Sequence, residues 1–192
     1  CDLTHCQVLA RASPSTDAAA RATAGLILAD GRAPADVYYS SWCGGHTESP
    51  SHAWPGARAR AYLPARPDAA CARETAWTSD FAEPQLRRAL AAAGLKGDLV
   101  TRFSILSRHP SGRVNELAVE GMTPDRITGE AFRAAAGRAL GWQRVKSTLF
   151  DLERTATGYR LTGRGMGHGV GLCIKGAIAR ARAGAARARA IA

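Results

Sequence analysis

Two short stretches of this chain carry the side chains most able to do chemistry. In Arg164-Gly165-Met166-Gly167-His168-Gly169-Val170-Gly171-Leu172 a guanidinium and an imidazole stand in a run where alternate residues are glycine. Glycine adopts left-handed backbone and lets another group approach the main chain closely, so such a run implies a close approach. The Ala- and Arg-rich residues after Ile174 read as a helix. Its free N–H groups would favour an anionic or oxygen-rich ligand. In Ser41-Trp42-Cys43-Gly44-Gly45-His46-Thr47-Glu48 a thiol, a diglycine, an imidazole, a hydroxyl and a carboxylate follow an expected strand. A cysteine beside a histidine can serve acyl transfer. The preferred reading of Cys43 is structural, with Cys71 as a candidate disulfide partner, because reactive thiols need a specific electropositive site.

A third cluster, Cys1-Asp2-Leu3-Thr4-His5-Cys6, puts three zinc-ligand side chains within one short segment. A Cys1–Cys6 disulfide or free thiols stand beside a metal site built on Cys1, His5 and Cys6. The five cysteines cannot all pair within the chain. The glycine run fits neither the dinucleotide fingerprint nor the phosphate loop, which argues against nucleotide binding.

The elements that must position these groups are helices and hairpins without strict alternation, an α+β pattern. Ser13-Pro14-Ser15-Thr16-Asp17 starts a helix. Leu26–Ala29 reads as a short buried strand, Asp30-Gly31 as a turn and Val37–Ser41 as a second strand, a hairpin. Residues 42–82 read mostly as loop, broken by prolines, with Trp54, Tyr62 and Trp77 arguing for order. Pro84–Ala93 is a helix stopped by Gly94, Leu99–Ser107 and Val114–Glu120 form a hairpin about Ser111-Gly112, and Thr128 opens a helix to Leu140. Val145–Leu152 and Tyr159–Thr162 read as strands. One domain over residues 1–192 is the simplest organisation.

Together these pieces resemble the stage II sporulation protein D family, the SpoIID/LytB domain that includes the amidase enhancers. The resemblance rests on Cys1 to Val8, on Tyr39 to Glu48 with Trp54 downstream, and on Gly163 to Leu172 ending at Gly176-Ala177. Gly112-Arg113-Val114, Gly129-Glu130-Ala131-Phe132-Arg133 and Lys146 to Phe150 stand between them in the expected order. It implies an extracytoplasmic domain acting on peptidoglycan, as a lytic transglycosylase that cuts denuded glycan strands to anhydromuramoyl ends. One carboxyl group would act first as acid and then as base. The alternative it implies is a non-catalytic glycan-binding module, or one that activates a cell-wall amidase. It also implies structural Zn²⁺ at Cys1, His5 and Cys6. A sugar groove would be lined by Gly44, Gly45, His46, Thr47, Trp54, Arg164, Gly165, His168 and Gly169. The family's catalytic glutamate lies ahead of the Cys-x₃-His-Cys block, so the chain is expected to be part of a longer precursor, truncated at both ends. Glu48 is the in-chain candidate for acid or orienter. Cys173-Ile174 stands where the family carries serine and glutamine.

The formal net charge is +10, almost all of it arginine, since lysine occurs only at Lys96, Lys146 and Lys175. Basic chains attract polyanions. The arginines are spread along the sequence and no nucleic-acid-binding signature accompanies them, so nucleic acid is not expected as a partner. No stretch of about twenty apolar residues is present, so no membrane span is expected.

Overall fold

The computed structural model describes residues 12–72 and 76–184. The fold is mixed α+β, and the chain divides into two compact units, Cys1–Val37 and Tyr38–Ala192.

In the first unit, α1 (Pro14–Ala22) begins where the sequence predicts it. The Ser13 hydroxyl accepts the Thr16 N–H at 3.3 Å, and Thr16 Oγ1 returns the bond to the Ser13 N–H at 2.8 Å, a reciprocal cap. The hairpin that follows is shorter than expected. β1 (Ala29–Asp30) and β2 (Ala33–Pro34) close about Gly31, and Leu26, Ile27 and Leu28 precede it, more than half exposed. They are therefore not the buried strand their apolarity suggested. Periodicity cannot tell a covered apolar run from an uncovered one.

The second unit holds the core. β3 (Tyr39–Ser40) does not return on β1 but pairs in parallel with β10 (Leu172–Cys173) near the end of the chain. Between them lie the short helix α2 (Pro50–Ala53) and a 3₁₀ turn, Ala69–Cys71. β4 (Trp77–Ala82) was hidden in the region read as loop; its inward residues alternate as Trp77, Ser79 and Phe81. It pairs with β9 (Gly158–Gly163), which pairs with β8 (Phe150–Thr155), giving an antiparallel sheet ordered β4-β9-β8. β5 (Arg102–Arg108), β6 (Val114–Glu120) and β7 (Arg126–Thr128) form a second antiparallel sheet. The α3 (Glu83–Ala92) and α4 (Gly129–Leu140) helices pack on each other, and α5 (Ile174–Arg182) packs on the 3₁₀ turn. Thr128 caps α4 by accepting the Ala131 N–H at 3.2 Å, as its position before the helical run predicts.

The core joins both three-stranded sheets to α3 and α4 through Phe81, Phe103, Phe132 and Phe150, with Leu86, Leu90, Leu117 and Leu161 filling around them. Phe132 lies 5.2 Å from Phe103, 6.1 Å from Phe81 and 6.4 Å from Phe150, centroid to centroid. Tyr159 stands edge-on to Phe103 and its hydroxyl accepts the Phe103 N–H at 3.0 Å. Because Phe132 is fully buried at this junction, Phe132→Ala is expected to cost about 3–5 kcal/mol in urea unfolding. A loss below about 1 kcal/mol would show that the site collapses around the cavity.

Candidate functional site

The two glycine-bearing stretches lie side by side. Trp42 and Met166 exchange main-chain hydrogen bonds, Met166 N–H to Trp42 O at 2.7 Å and Trp42 N–H to Met166 O at 3.3 Å. Further along, the Glu48 N–H donates to Gly169 O at 3.0 Å, and Leu172 N–H to Tyr38 O at 2.9 Å. Close packing of main chain is what the glycines serve. A Cβ on Gly44 (φ +79°) would lie 3.0 Å from the Gly165 nitrogen, and one on Gly169 (φ +80°) would lie 2.3 Å from Arg113 Nη2. What approaches the glycine run is the protein itself.

Beside this junction opens a cavity of about 170 Å³. Glu48, His52, Trp54, His109, Arg113, Glu130 and His168 all line it. Glu48 is 1% exposed. Its Oε1 accepts the Ser49 N–H at 2.9 Å, its Oε2 accepts the Ser111 hydroxyl, and His52 Nδ1 lies 3.0 Å from Oε1. An ionised carboxylate only accepts, so the proton of a neutral His52 sits on Nδ1 and Nε2 is left as an acceptor. His52 stacks on His109 with ring centroids 4.5 Å apart and ring planes nearly parallel. Burial pushes the His109 imidazole below its ordinary pKa; Glu48 pulls the other way and His52 reinforces the shift.

Arg113 is buried. Its Nη2 donates to Cys43 O at 2.8 Å, whereas Nε and Nη1 have no hydrogen-bond partner among the described residues. Burial lowers its pKa, and Glu48 is the foremost group opposing that. Glu130 sits 2.7 Å from Arg133 Nη1 at the start of α4, yet burial outweighs that pairing and raises its carboxyl pKa. His168 takes the Val170 N–H on Nδ1 at 3.0 Å and bonds to the Tyr39 main chain, so it offers the cavity mainly a ring face, 4.8 Å from Trp54.

Glu48, Trp54 and His168 therefore meet at one cavity. Gly44, Gly45, Gly165 and Gly169 supply main-chain packing at its back. Thr47 is buried and bonded to the main chain, its Oγ1 donating to Arg66 O at 3.2 Å and accepting the Arg66 N–H at 3.0 Å. His46 Nδ1 bonds to Thr47 O at 2.7 Å. Neither lines the cavity. Arg164 is exposed and borders a separate cavity of about 320 Å³ beside Arg108 and Asp151. Sequence reasoning gave no role to His52, His109, Arg113 or Glu130. The Glu48-x₃-His52 spacing across a proline-started turn was the one local signal. The others need the β5–β6 hairpin and α4 to be brought together.

Cys1, His5 and Cys6 lie outside the described residues. The Cys43–Cys71 disulfide is not formed: both are free, buried thiols. The physical reason is a third thiol, Cys173, which lies 3.3 Å from Cys71 Sγ and accepts the Cys43 N–H at 3.3 Å. Cys173 Sγ also caps the start of α5 by accepting the Gly176 N–H at 3.3 Å. With Asp68 these sulfurs form a buried Cys₃Asp group, the ligand atoms all within 4.8 Å of one another, that could hold a metal ion. Hydrogen bonding from Cys43 brings the Cys173 thiol down to about 6, while Cys43 and Cys71 are pushed up, Cys43 chiefly as donor to Cys173 and Cys71 chiefly by burial.

The buried imidazole makes stability depend on pH. Burial, then Arg133 and Arg113, lower His168 from 6.5 to about 4. Between these values the unfolded chain binds the proton and the folded one does not. Stability is thus lost as pH falls from about 6.5 towards 4, by about 3 kcal/mol at most. His109 adds to the loss and Glu130, shifted upward, opposes it. Urea unfolding at a series of pH values should show this slope, and His168→Asn, which keeps an acceptor for the Val170 N–H, should flatten it. An unchanged slope would place the titration elsewhere.

Residues 52–171 match the sequence model of a family described as a domain of unknown function (DUF8618). That span contains His52, Trp54, His109, Arg113, Glu130 and His168. An uncharacterized protein of Brachyspira hyodysenteriae is 29% identical over 147 residues, covering 76% of this chain and 38% of that protein. The chain thus spans well under half the length of this curated relative. The match covers most of the second unit and most of the cavity's lining, though not Glu48, and shows that the chain belongs to the DUF8618 family.

Proposed function

We propose that this domain processes peptidoglycan glycan strands as a lytic transglycosylase of the SpoIID/LytB type, outside the cytoplasm. The observation that carries the reading is the cavity at the junction of two of the stretches on which the resemblance rests, lined by two carboxyl groups, a tryptophan and a buried arginine. Trp54 offers an apolar ring face of the kind that packs on a sugar. Arg113 Nε and Nη1 are donors without partners among the described residues, and sugar oxygens would satisfy them. Such a surface selects an oxygen-rich, neutral or acidic chain.

The two carboxyl groups divide the work. Glu48, held by Ser49, Ser111 and His52, is a positioning residue that fixes the His52 ring. Glu130, whose carboxyl is shifted toward the protonated form, is placed to hand a proton to the glycosidic oxygen. The muramoyl C6 hydroxyl then attacks the anomeric carbon and returns its proton to the same carboxylate, closing the anhydro ring without water. A structural zinc at Cys1, His5 and Cys6 belongs to this reading. A non-catalytic glycan-binding or amidase-activating module is the second reading. It is favoured by Cys173, which faces the buried sulfur cluster where the family's serine would stand. Among the described residues no helix is long and apolar enough to cross a membrane.

Digestion of denuded glycan by the full-length protein is expected to yield anhydromuramoyl ends. Glu130→Gln should slow it by about 10²–10⁴-fold, the usual contribution of a general acid. A loss under tenfold would show that Glu130 is not the acid. Glycan binding without cleavage would favour the module, and neither binding nor cleavage would reject both readings.

A further inference from the structure

We propose that Cys43, Asp68, Cys71 and Cys173 bind one zinc ion in a closed tetrahedral site that fastens the back of the cleft. The site is independent of what the cleft binds. Its four ligands come from three separate segments: the loop after β3, the 3₁₀ turn with its preceding Asp68, and the start of α5. All are buried, at 0% for Cys43, 2% for Cys71 and Cys173 and 7% for Asp68.

The geometry suits zinc. With Zn–S near 2.3 Å, sulfurs at the corners of a tetrahedron stand about 3.8 Å apart. Here Cys71 and Cys173 Sγ are 3.3 Å apart, Cys43 Sγ is 3.4 Å from Asp68 Oδ2, and all four ligand atoms lie within 4.8 Å of one another. A disulfide needs about 2.05 Å and uses only two of the three sulfurs. Three thiolates with one carboxylate form a soft, anionic set that discriminates against magnesium and calcium. No ligand is exposed, so the site keeps no position open for substrate and is structural.

The surroundings are arranged as they are around metal thiolates. Cys173 Sγ accepts two main-chain N–H groups, from Cys43 and Gly176, both at 3.3 Å. Asp68 directs Oδ2 at the sulfurs while Oδ1 takes Arg180 Nη1 at 2.6 Å, which fixes the carboxylate plane. Gly176 leaves room for this, since a Cβ there would lie 2.2 Å from Asp68 Oδ2. On binding, each thiol gives its proton to solvent and its sulfur lone pair to the metal. The ion would tie the Cys43 loop to the α5 cap. Cys43 O holds Arg113, so the clamp reaches the cavity through one hydrogen bond.

The test uses the full chain, purified reduced, with metal measured by mass spectrometry. The variant Cys1→Ser/His5→Ala/Cys6→Ser removes the other candidate ligands. It is expected to retain about one equivalent of zinc, the content of a single tetrahedral site. Cobalt substituted into this variant should show the sulfur-to-metal charge-transfer absorption of a tetrahedral thiolate site. Adding Cys173→Ser should abolish the zinc. Arg180→Gln, which leaves every ligand in place, should weaken zinc binding by about 10–100-fold. Any of three results overturns the proposal: a metal-free triple variant with all thiols titratable, iron or copper in place of zinc, or a Cys71–Cys173 disulfide in the peptide map of the unreduced protein.

Discussion

The cleft depends on main-chain pairing between two segments far apart in sequence, Trp42–Glu48 and Met166–Val170. The Trp42–Met166 exchange and the Glu48–Gly169 bond bring two backbones to a separation that side chains would prevent. Glycine at positions 44, 165 and 169 is the condition for it. Trp77 locks the arrangement from the neighbouring sheet, its indole N–H donating to Gly165 O at 3.0 Å. Without this pairing Glu48 would not be held against Ser111.

A second constraint is electrostatic. Arg113 and Glu48 are both nearly fully buried, and buried charge is tolerated only with compensation. The structure supplies it unevenly. Glu48 is satisfied by a hydroxyl, a main-chain N–H and an imidazole. Arg113 has a single carbonyl among the described residues. A donor-rich, desolvated group facing a carboxyl-lined cavity is an arrangement expected of a binding site more than of a core, because a core gains nothing from an unsatisfied guanidinium. The Cys₃Asp group repeats the pattern behind the cleft, where Arg180 offsets the Asp68 charge.

Much of the second unit was legible from local chemistry. The α3 and α4 helices follow from proline and threonine at their starts, and the β5–β6 hairpin follows from Ser111-Gly112 between alternating strands. These signals are local, and the structure keeps them. β4 was missed because Trp77 to Ala82 follows a proline-broken stretch, and its alternation shows only once β9 pairs with it. The Leu26–Leu28 run failed in the opposite sense, being apolar enough for a buried strand yet exposed. The site divides the same way. Glu48, Trp54 and His168 could be picked out because each stands in or beside an unusual motif, whereas Arg113 and Glu130 look like ordinary hairpin and helix residues.

By itself the sequence determined which segments could be helix or strand, that something must come close to the main chain of the glycine-bearing residues, and that no run of residues suits a membrane span. Only tertiary structure decided what approaches them. It put the glycine run against Arg113 and the Trp42 loop, gathered three cysteines around Asp68, and set Glu48 and Glu130 on one cavity. The reason is physical: capping, turn chemistry and periodicity act over a few residues and are written in adjacent letters. Burial, desolvation and the meeting of charges depend on which distant segments share a volume, and no local pattern encodes that.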